Sequence, residues 1–167
     1  MPRKERGVTP NPGSLYRALA PAVLGYLRSQ RVAEPEDVLG EVFVQVARDI
    51  ARFGGDDDAA RRWVFSIAHN RAMDAHRRST RSRLTLEDDM TAFAGPDDAP
   101  AGAPDEALLA ALDALSPDQR EVVLLRFEAD LSLEAVAKIT GRKVGAVKAL
   151  QHRALENLRQ AVSPDGA

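Results

Sequence analysis

The chain has 167 residues, of which 44% are hydrophobic and 29% charged, a composition typical of a globular protein and not of a disordered one. It has no cysteine, which excludes disulfides, zinc ribbons and thiol sensors, and its three histidines are scattered, so we predict neither a metal site nor a cofactor. No apolar run reaches membrane-spanning length, and the amino terminus lacks the apolar core of a signal peptide. We therefore expect a cytoplasmic protein without membrane insertion.

The net charge of −2 conceals a strong segregation of charge along the chain. Residues 61–83 carry seven arginines and one acid, Asp74, whereas residues 85–106 carry seven acids and no base. Residues 142–159 are basic again, with five Lys/Arg against one acid, Glu156. Two basic segments separated by an acidic one predict a protein that contacts polyanions at two places.

Apolar residues recur at helical spacing in nearly every periodic segment, which predicts an all-α fold. The first helix is expected over residues 14–30, and Pro21 inside it predicts a kink or a break. The positions expected on its inner side are Leu15, Leu19, Val23, Tyr26 and Leu27.

A second helix is expected to begin near Pro35, because proline is favourable in a first helical turn. A third is expected over about residues 59–81, with Trp63, Ile67 and Met73 inward and the carboxylates of residues 56–58 at its start. The inward positions predicted for the second helix are Leu39, Phe43, Val46, Ile50 and Phe53.

Periodicity is lost over residues 85–104, where Pro, Gly, Ala and acids predict a flexible linker. Helices are then expected over residues 104–115 and 117–127, the latter capped by Ser116 with Gln119 completing a capping box. The predicted architecture is two small helical domains, residues 14–84 and 105–162, with a flexible arm (1–13), the acidic linker and a short tail (163–167).

Residues 131–159 show the pattern of a helix-turn-helix, whose second helix enters the major groove of DNA. Ser132 is placed to cap the first of its helices, and Gly141 lies at the turn, where positive φ is favoured. Ala137 and Val147 are spaced to pack into the angle between the helices. An ordinary helical hairpin with a solvated basic face is the alternative that this spacing alone leaves open.

Three motifs, taken in order, resemble those of the extracytoplasmic-function (ECF) sigma factors of the bacterial sigma-70 family. Residues 36–43 (EDVLGEVF) resemble the acidic helix that opens the polymerase-binding region. Residues 63–74 (WVFSIAHNRAMD) resemble the family's Trp-Leu-x-x-Ile-Ala-x-Asn signature. Residues 115–126 (LSPDQREVVLLR), followed by the helix-turn-helix, resemble the carboxy-terminal domain.

The resemblance implies a function in which the chain binds core RNA polymerase, recognises the −10 and −35 promoter elements and directs transcription initiation. The second helix would dock on the polymerase, and an anti-sigma factor would be a further partner. No catalytic residues are expected, because catalysis would belong to the polymerase. The residues implied in polymerase binding are Asp37, Glu41, Gln45, Arg48 and Asp49.

The helix over residues 63–81 would read the −10 element as unpaired bases, gripped by positive charge and by amide or aromatic faces. Asn70 and the preceding loop, residues 53–58, would form a pocket for a base taken out of the stack. An aromatic such as Trp63 at an inward position is more often part of a core. The residues implied in −10 binding are Arg61, Arg62, Asn70, Arg71, Arg77, Arg78 and Arg81.

The second helix of the helix-turn-helix would read the −35 element, with its Lys and Arg on phosphates. The chain departs from the family pattern at Gly40, usually Gln, at Ala47, often Trp, and at Ala149-Leu150, commonly Ser-Arg, so the polymerase contact and the promoter preference need not match those of relatives. The residues implied in −35 binding are Arg142, Lys143, Lys148, Gln151, His152 and Arg153.

Two other functions compete with this interpretation. A conventional helix-turn-helix regulator would select DNA without polymerase, although the amino-terminal half shows no pattern of a receiver or ligand domain. An enzyme could hold Mg²⁺ on the carboxylates of residues 56–58. Three consecutive carboxylates point in different directions, however, and capping of the following helix explains them better.

Overall fold

A computed structural model describes residues 10–85 and 106–163 of the chain. The regular structure in these two ranges is entirely helical, which confirms the predicted all-α class. Most of the predicted arm, linker and tail, namely residues 1–9, 86–104 and 164–167, lies outside the described residues. None of the helices in the described ranges has the length and hydropathy needed to cross a membrane.

Three helices form the amino-terminal half of the described chain and four form the carboxy-terminal half. A 3₁₀ turn, Ile50–Arg52, follows the second helix, and a π-helical turn, Leu124–Glu128, follows the fifth. The α-helices are α1 Pro12–Ser29, α2 Pro35–Asp49, α3 Asp57–Thr85, α4 Glu106–Ala114, α5 Pro117–Val123, α6 Leu133–Thr140 and α7 Val144–Val162.

Helix α1 continues without a break through Pro21, contrary to one of the two expectations for this residue. Its start is capped by Asn11, whose side chain accepts a hydrogen bond from the Ser14 backbone at 2.8 Å. Pro21 lies on the exposed side, where the carbonyl of Arg17 that loses its helical partner can be hydrated instead. The five positions predicted to face inward on this helix are all buried.

The buried stripe of α2 is shifted from the predicted one. Val38, Val42 and Val46 face the core together with Leu39, and α1 and α3 pack against that side. Phe43 is only partly buried and packs edge-to-face on the exposed ring of Tyr16, with 5.0 Å between ring centroids. Ile50 and Phe53, which follow α2, are also only partly buried, so three of the five predicted inward positions lie at the edge of the core.

The capping predictions for the carboxy-terminal half are confirmed. Ser116 accepts from the Gln119 backbone, and the Gln119 side chain accepts from the Ser116 backbone in return. Ser132 caps α6 through the Ala135 backbone, and Gly141 ends α6 with a φ of 69°. The helix predicted to reach residue 127 is instead an α-helix to Val123 followed by the π-helical turn.

The two halves pack against each other around a shared core. Its buried members include Val23 and Phe65 from the amino-terminal half and Val122, Leu125 and Val136 from the carboxy-terminal half. A smaller apolar cluster of Leu115, Val123 and Ala154 joins α5 to α7. Since Ala137 of α6 and Val147 of α7 are also buried members of this cluster, the helix-turn-helix is packed on the shared core.

We predict opposite effects of alanine at two glycines. Gly141→Ala should lower the free energy of unfolding by about 1–2 kcal/mol, because a Cβ is strained at positive φ. Gly40→Ala, the matched change inside α2, should raise the free energy of unfolding by about 0.5–1 kcal/mol, because alanine favours a helix more than glycine does. Nothing lies within 4 Å of the added Cβ, so no clash offsets this gain. Urea unfolding of both variants measures this, and a loss at both positions would contradict the argument.

Candidate nucleic-acid interface

Helix α3 carries a row of arginines along one face. Arg71, Asp74, Arg78 and Arg81 follow one another at spacings of three or four, and Arg77 lies three residues after Asp74 and four before Arg81, which places these side chains on adjacent turns. Together they line an open cleft with a volume of about 310 Å³, called here the arginine cleft. Four guanidinium groups against one carboxylate make it suited to a polyanion.

The arginines of this cleft differ in how firmly they are held. Arg77 and Arg78 are exposed, and Arg77 pairs with Asp74 at 3.1 Å. Arg71 is half-buried and donates from Nε and Nη2 to the side-chain oxygen of Gln45 on α2, at 3.3 and 3.0 Å. The structure thus brings together four of the six arginines predicted for the −10 element.

The other two predicted arginines, Arg61 and Arg62, lie near the start of α3, away from the cleft. Arg61 is half-buried and points toward acids, with Asp58 at 3.4 Å and Asp130 of the carboxy-terminal half at 3.9 Å. Arg62 is exposed. The carboxylate of Asp56 caps α3 by accepting from the Ala59 backbone at 2.8 Å, as expected of the acids at this helix start.

Asn70 is exposed on α3, and Trp63 lies seven residues earlier, about two turns or 10 Å away on the same side of the helix. The Trp63 ring stacks on Phe53, with 4.8 Å between centroids and 12° between planes. A shallow, open depression of about 230 Å³ lies at this stacked pair and is lined by Asp49, Arg52, Phe53, Gly54 and Trp63. Of the predicted loop, Phe53 and Gly54 line this depression, and Asn70 is not among its lining residues.

The residues predicted to bind polymerase are divided between two directions. Asp37 and Arg48 are exposed on α2, and Asp49 lines the depression beside Phe53. Glu41 and Gln45 instead turn toward α3: Gln45 holds Arg71, and the Glu41 carboxylate lies near two arginines of the cleft. Two of the five residues of this predicted surface thus contact the predicted DNA-binding face.

Helix α7 exposes Lys148, His152 and Arg153, and Lys143 is exposed at its N-cap position. His152 lies 3.8 Å from Glu156, one turn further along. Two predicted members are less accessible. Arg142 is half-buried and pairs with Asp118 at 2.8 Å, and the side-chain oxygen of Gln151 is buried without a hydrogen bond.

A buried polar cluster, which we call the junction cluster, joins the two halves of the chain. The Tyr26 hydroxyl of α1 donates to the Glu121 carboxylate of α5 at 3.0 Å, and Nδ1 of His69 on α3 lies 2.7 Å from the same oxygen. Since a carboxylate only accepts, both neighbours must donate, and the Nδ1–H tautomer of His69 fits this site. Burial, together with the Glu121 charge, raises the pKa of Tyr26 well above 10.0.

Arg120 makes a second polar link between the halves. It is buried, and its guanidinium donates to the carbonyls of Leu112, Asp113 and Leu115 and, across the junction, to that of Ser29 at 3.2 Å. Burial lowers the pKa of this arginine. The sequence predicted that Tyr26 faces inward but not the contacts of Tyr26, His69, Arg120 and Glu121, because a polar residue inside an apolar stripe carries no signal about which distant group will satisfy it.

Comparison with known proteins places this geometry in a family. Residues 15–82 match the family model described as Sigma-70 region 2, and residues 111–160 match Sigma-70, region 4. The chain is 34% identical to the ECF RNA polymerase sigma factor BldN of Streptomyces coelicolor over 92% of its own length, and spans 61% of that relative. It is 35% identical to the RNA polymerase sigma factor CarQ of Myxococcus xanthus over 87% of its own length and 86% of that protein.

The fold also matches a solved structure, that of the sigma factor RpoE in complex with the anti-sigma factor NepR from Bartonella quintana. The TM-score is 0.75 at 23% identity, covering 92% of this chain and 97% of that one. A two-part helical fold with a helix-turn-helix and a second basic face defines a DNA-binding transcription protein. The chain is also 31% identical to the ECF RNA polymerase sigma factor SigD of Mycobacterium bovis, of which it covers 77%, and it belongs to the ECF sigma factors of the sigma-70 family.

We predict that the junction cluster is a major source of stability. Tyr26→Phe and Glu121→Leu should each lower the free energy of unfolding by about 1–3 kcal/mol, because the first removes a donor from the buried Glu121 carboxylate and the second leaves the Tyr26 hydroxyl and His69 Nδ1 without their acceptor. Tyr16→Phe, the matched change at an exposed ring, should stay within about 0.5 kcal/mol of the wild type. Urea unfolding of the two single variants and the double variant gives the coupling, and strictly additive losses would contradict a shared cluster.

The raised pKa of Tyr26 adds a pH dependence to this test. The folded chain keeps the hydroxyl protonated to higher pH than the unfolded chain does, so its contribution is complete below pH 10.0 and is lost as pH rises toward the folded-state pKa. Above pH 10.0 the wild type should therefore lose stability more steeply than Tyr26→Phe.

Proposed function

We propose that this chain is the promoter-recognition subunit of a bacterial RNA polymerase, acting in the cytoplasm where polymerase and DNA meet. The observation that carries the proposal is the pairing, in one chain, of an arginine cleft on α3 within the region 2 match and a basic helix α7 within the region 4 match. In this function the chain performs no chemistry of its own, and the polymerase makes the RNA.

The arginine cleft is the part suited to the −10 element. Its guanidinium groups would bind the phosphates of a melted strand, and the stacked rings of Phe53 and Trp63 border a depression beside α3 that offers aromatic surface to a base. Asn70 is exposed on the same side of the helix as Trp63 and would supply an amide edge for hydrogen bonding to a base.

Helix α7 is the part suited to the −35 duplex. Lys143, Lys148 and Arg153 are exposed and would bind phosphates, which gives affinity without sequence information. The ion pair between Arg142 and Asp118 restricts Arg142, so this residue would position the helix more than it contacts DNA. Base reading falls to the other exposed side chains in the first half of α7, His152 among them.

Two partners follow from this proposal. Core RNA polymerase would dock on the exposed part of α2, around Asp37 and Arg48. An anti-sigma factor would cover the chain until its signal arrives, as the solved complex of RpoE with NepR suggests for a chain of this fold.

Reconstitution with core polymerase tests the function directly. Purified chain, core RNA polymerase and a pool of genomic promoter fragments should yield transcripts from a defined subset of promoters. Selection of DNA by the chain alone, with no change on adding core polymerase, would instead support a conventional helix-turn-helix regulator.

The role of Asn70 can be separated from polymerase binding. Asn70→Ala should reduce open-complex formation about tenfold or more, the effect of losing base hydrogen bonds, while affinity for core polymerase changes less than about twofold. Asn157→Ala removes an exposed amide from α7 and serves as the control. Equal loss of both activities in Asn70→Ala would show that Asn70 acts on the structure and not on DNA.

A further inference from the structure

Glu41 lies at the seam between the predicted polymerase-docking helix α2 and the arginine cleft on α3. Its Oε2 atom is 3.9 Å from Nη1 of Arg71 and 3.7 Å from Nη2 of Arg78. The Glu41 side chain as a whole is 39% exposed, yet this oxygen is out of contact with solvent and makes no hydrogen bond.

This geometry is unusual for a carboxylate. Charge-assisted hydrogen bonds between guanidinium and carboxylate groups are normally 2.7–2.9 Å long. A carboxylate oxygen that is removed from water and makes no hydrogen bond costs free energy, so the Glu41 Oε2 atom must be stabilised in another way. Here the two guanidinium groups balance the charge of Glu41 without forming hydrogen bonds to this oxygen. Ion pairs this long are weak, so another cation can replace the two arginines as the partner of Glu41.

Gln45, one turn further along α2, holds Arg71 differently. It accepts two hydrogen bonds from this guanidinium but carries no charge, so it orients Arg71 without reducing its attraction for an anion. Glu41 does reduce that attraction, because a phosphate in the arginine cleft would compete with its carboxylate for Arg71 and Arg78.

We propose that Glu41 couples polymerase docking to DNA binding. In the free chain its carboxylate is the internal counter-charge of Arg71 and Arg78 and weakens the arginine cleft for DNA. A basic group of the polymerase that docks on α2 and takes over the Glu41 carboxylate releases both arginines to phosphate. Because coupling between two binding events is reciprocal, DNA in the cleft also favours docking. This inference rests on the proposed function.

The first experiment uses the free chain and a fluorescent single-stranded oligothymidylate. Glu41→Gln should bind it about three- to tenfold more tightly than the wild type, the effect of removing one or two half-exposed ion pairs. Glu34→Gln removes the same charge at the exposed start of α2 and is the matched control, expected to stay within about twofold of the wild type. Equal affinity of Glu41→Gln and Glu34→Gln for the oligothymidylate would overturn the proposal that Glu41 is the counter-charge of the arginine cleft.

The second experiment repeats the titration with the chain bound to core polymerase. The advantage of Glu41→Gln over the wild type should shrink to less than about twofold, because the polymerase has already relieved the arginines in the wild type. An advantage equal to that of the free chain overturns the coupling. A role of Glu41 in stability alone would not make the advantage depend on polymerase, and circular dichroism checks that the variant is folded.

Failure of the proposed function gives a different result. A wild-type chain that does not co-purify with core polymerase refutes the assignment of α2 as a docking helix and, with it, the coupling. The free-chain titration still decides by itself whether Glu41 is the counter-charge of the arginine cleft.

Discussion

The carboxylate of Glu121 sets the relation between the two halves of the described chain. A charge removed from water is tolerated only where donors surround it, and here the donors, Tyr26 and His69, come from α1 and α3. Helix α5 can satisfy Glu121 only in the orientation that brings it to these two side chains. The smaller apolar cluster attaches α7 to α5, so the direction of α7, the helix proposed to bind the −35 element, follows from the same constraint.

The charges of α3 raise a second physical problem, since like charges at three- and four-residue spacings repel one another. The chain moderates this by setting acceptors among the arginines: Asp74 beside Arg77, and Glu41 and Gln45 from α2 beside Arg71. The cleft is therefore preorganised while only part of its charge is available. Polymerase binding and DNA binding, which the sequence analysis predicted for the separate helices α2 and α3, would therefore share one electrostatic environment.

Local signals in the sequence were sufficient for local structure. The caps at Ser116, Ser132 and Gly141 lie where their side chains or backbone freedom predict, because capping depends on residues within one turn. The inward face of α2 was assigned less well, since a stripe of apolar residues is broad and the neighbouring helices decide which part of it is covered. Glu121 on α5, by contrast, contacts residues of α1 and α3, and Glu41 on α2 contacts residues of α3. No single-sequence pattern reports such pairings.

The shared core has an energetic consequence for any extended form of this protein. Val122, Leu125 and Val136 are fully buried in the same cluster as Val23 and Phe65, and burying one side chain of this kind is worth about 1.5–3 kcal/mol. Separating the two halves would expose these apolar side chains to water and leave the Glu121 carboxylate without its hydrogen-bond donors. A partner that holds region 2 and region 4 apart must therefore bury the exposed apolar surface of each half against its own surface. These two surfaces are available for binding only when the halves are separated.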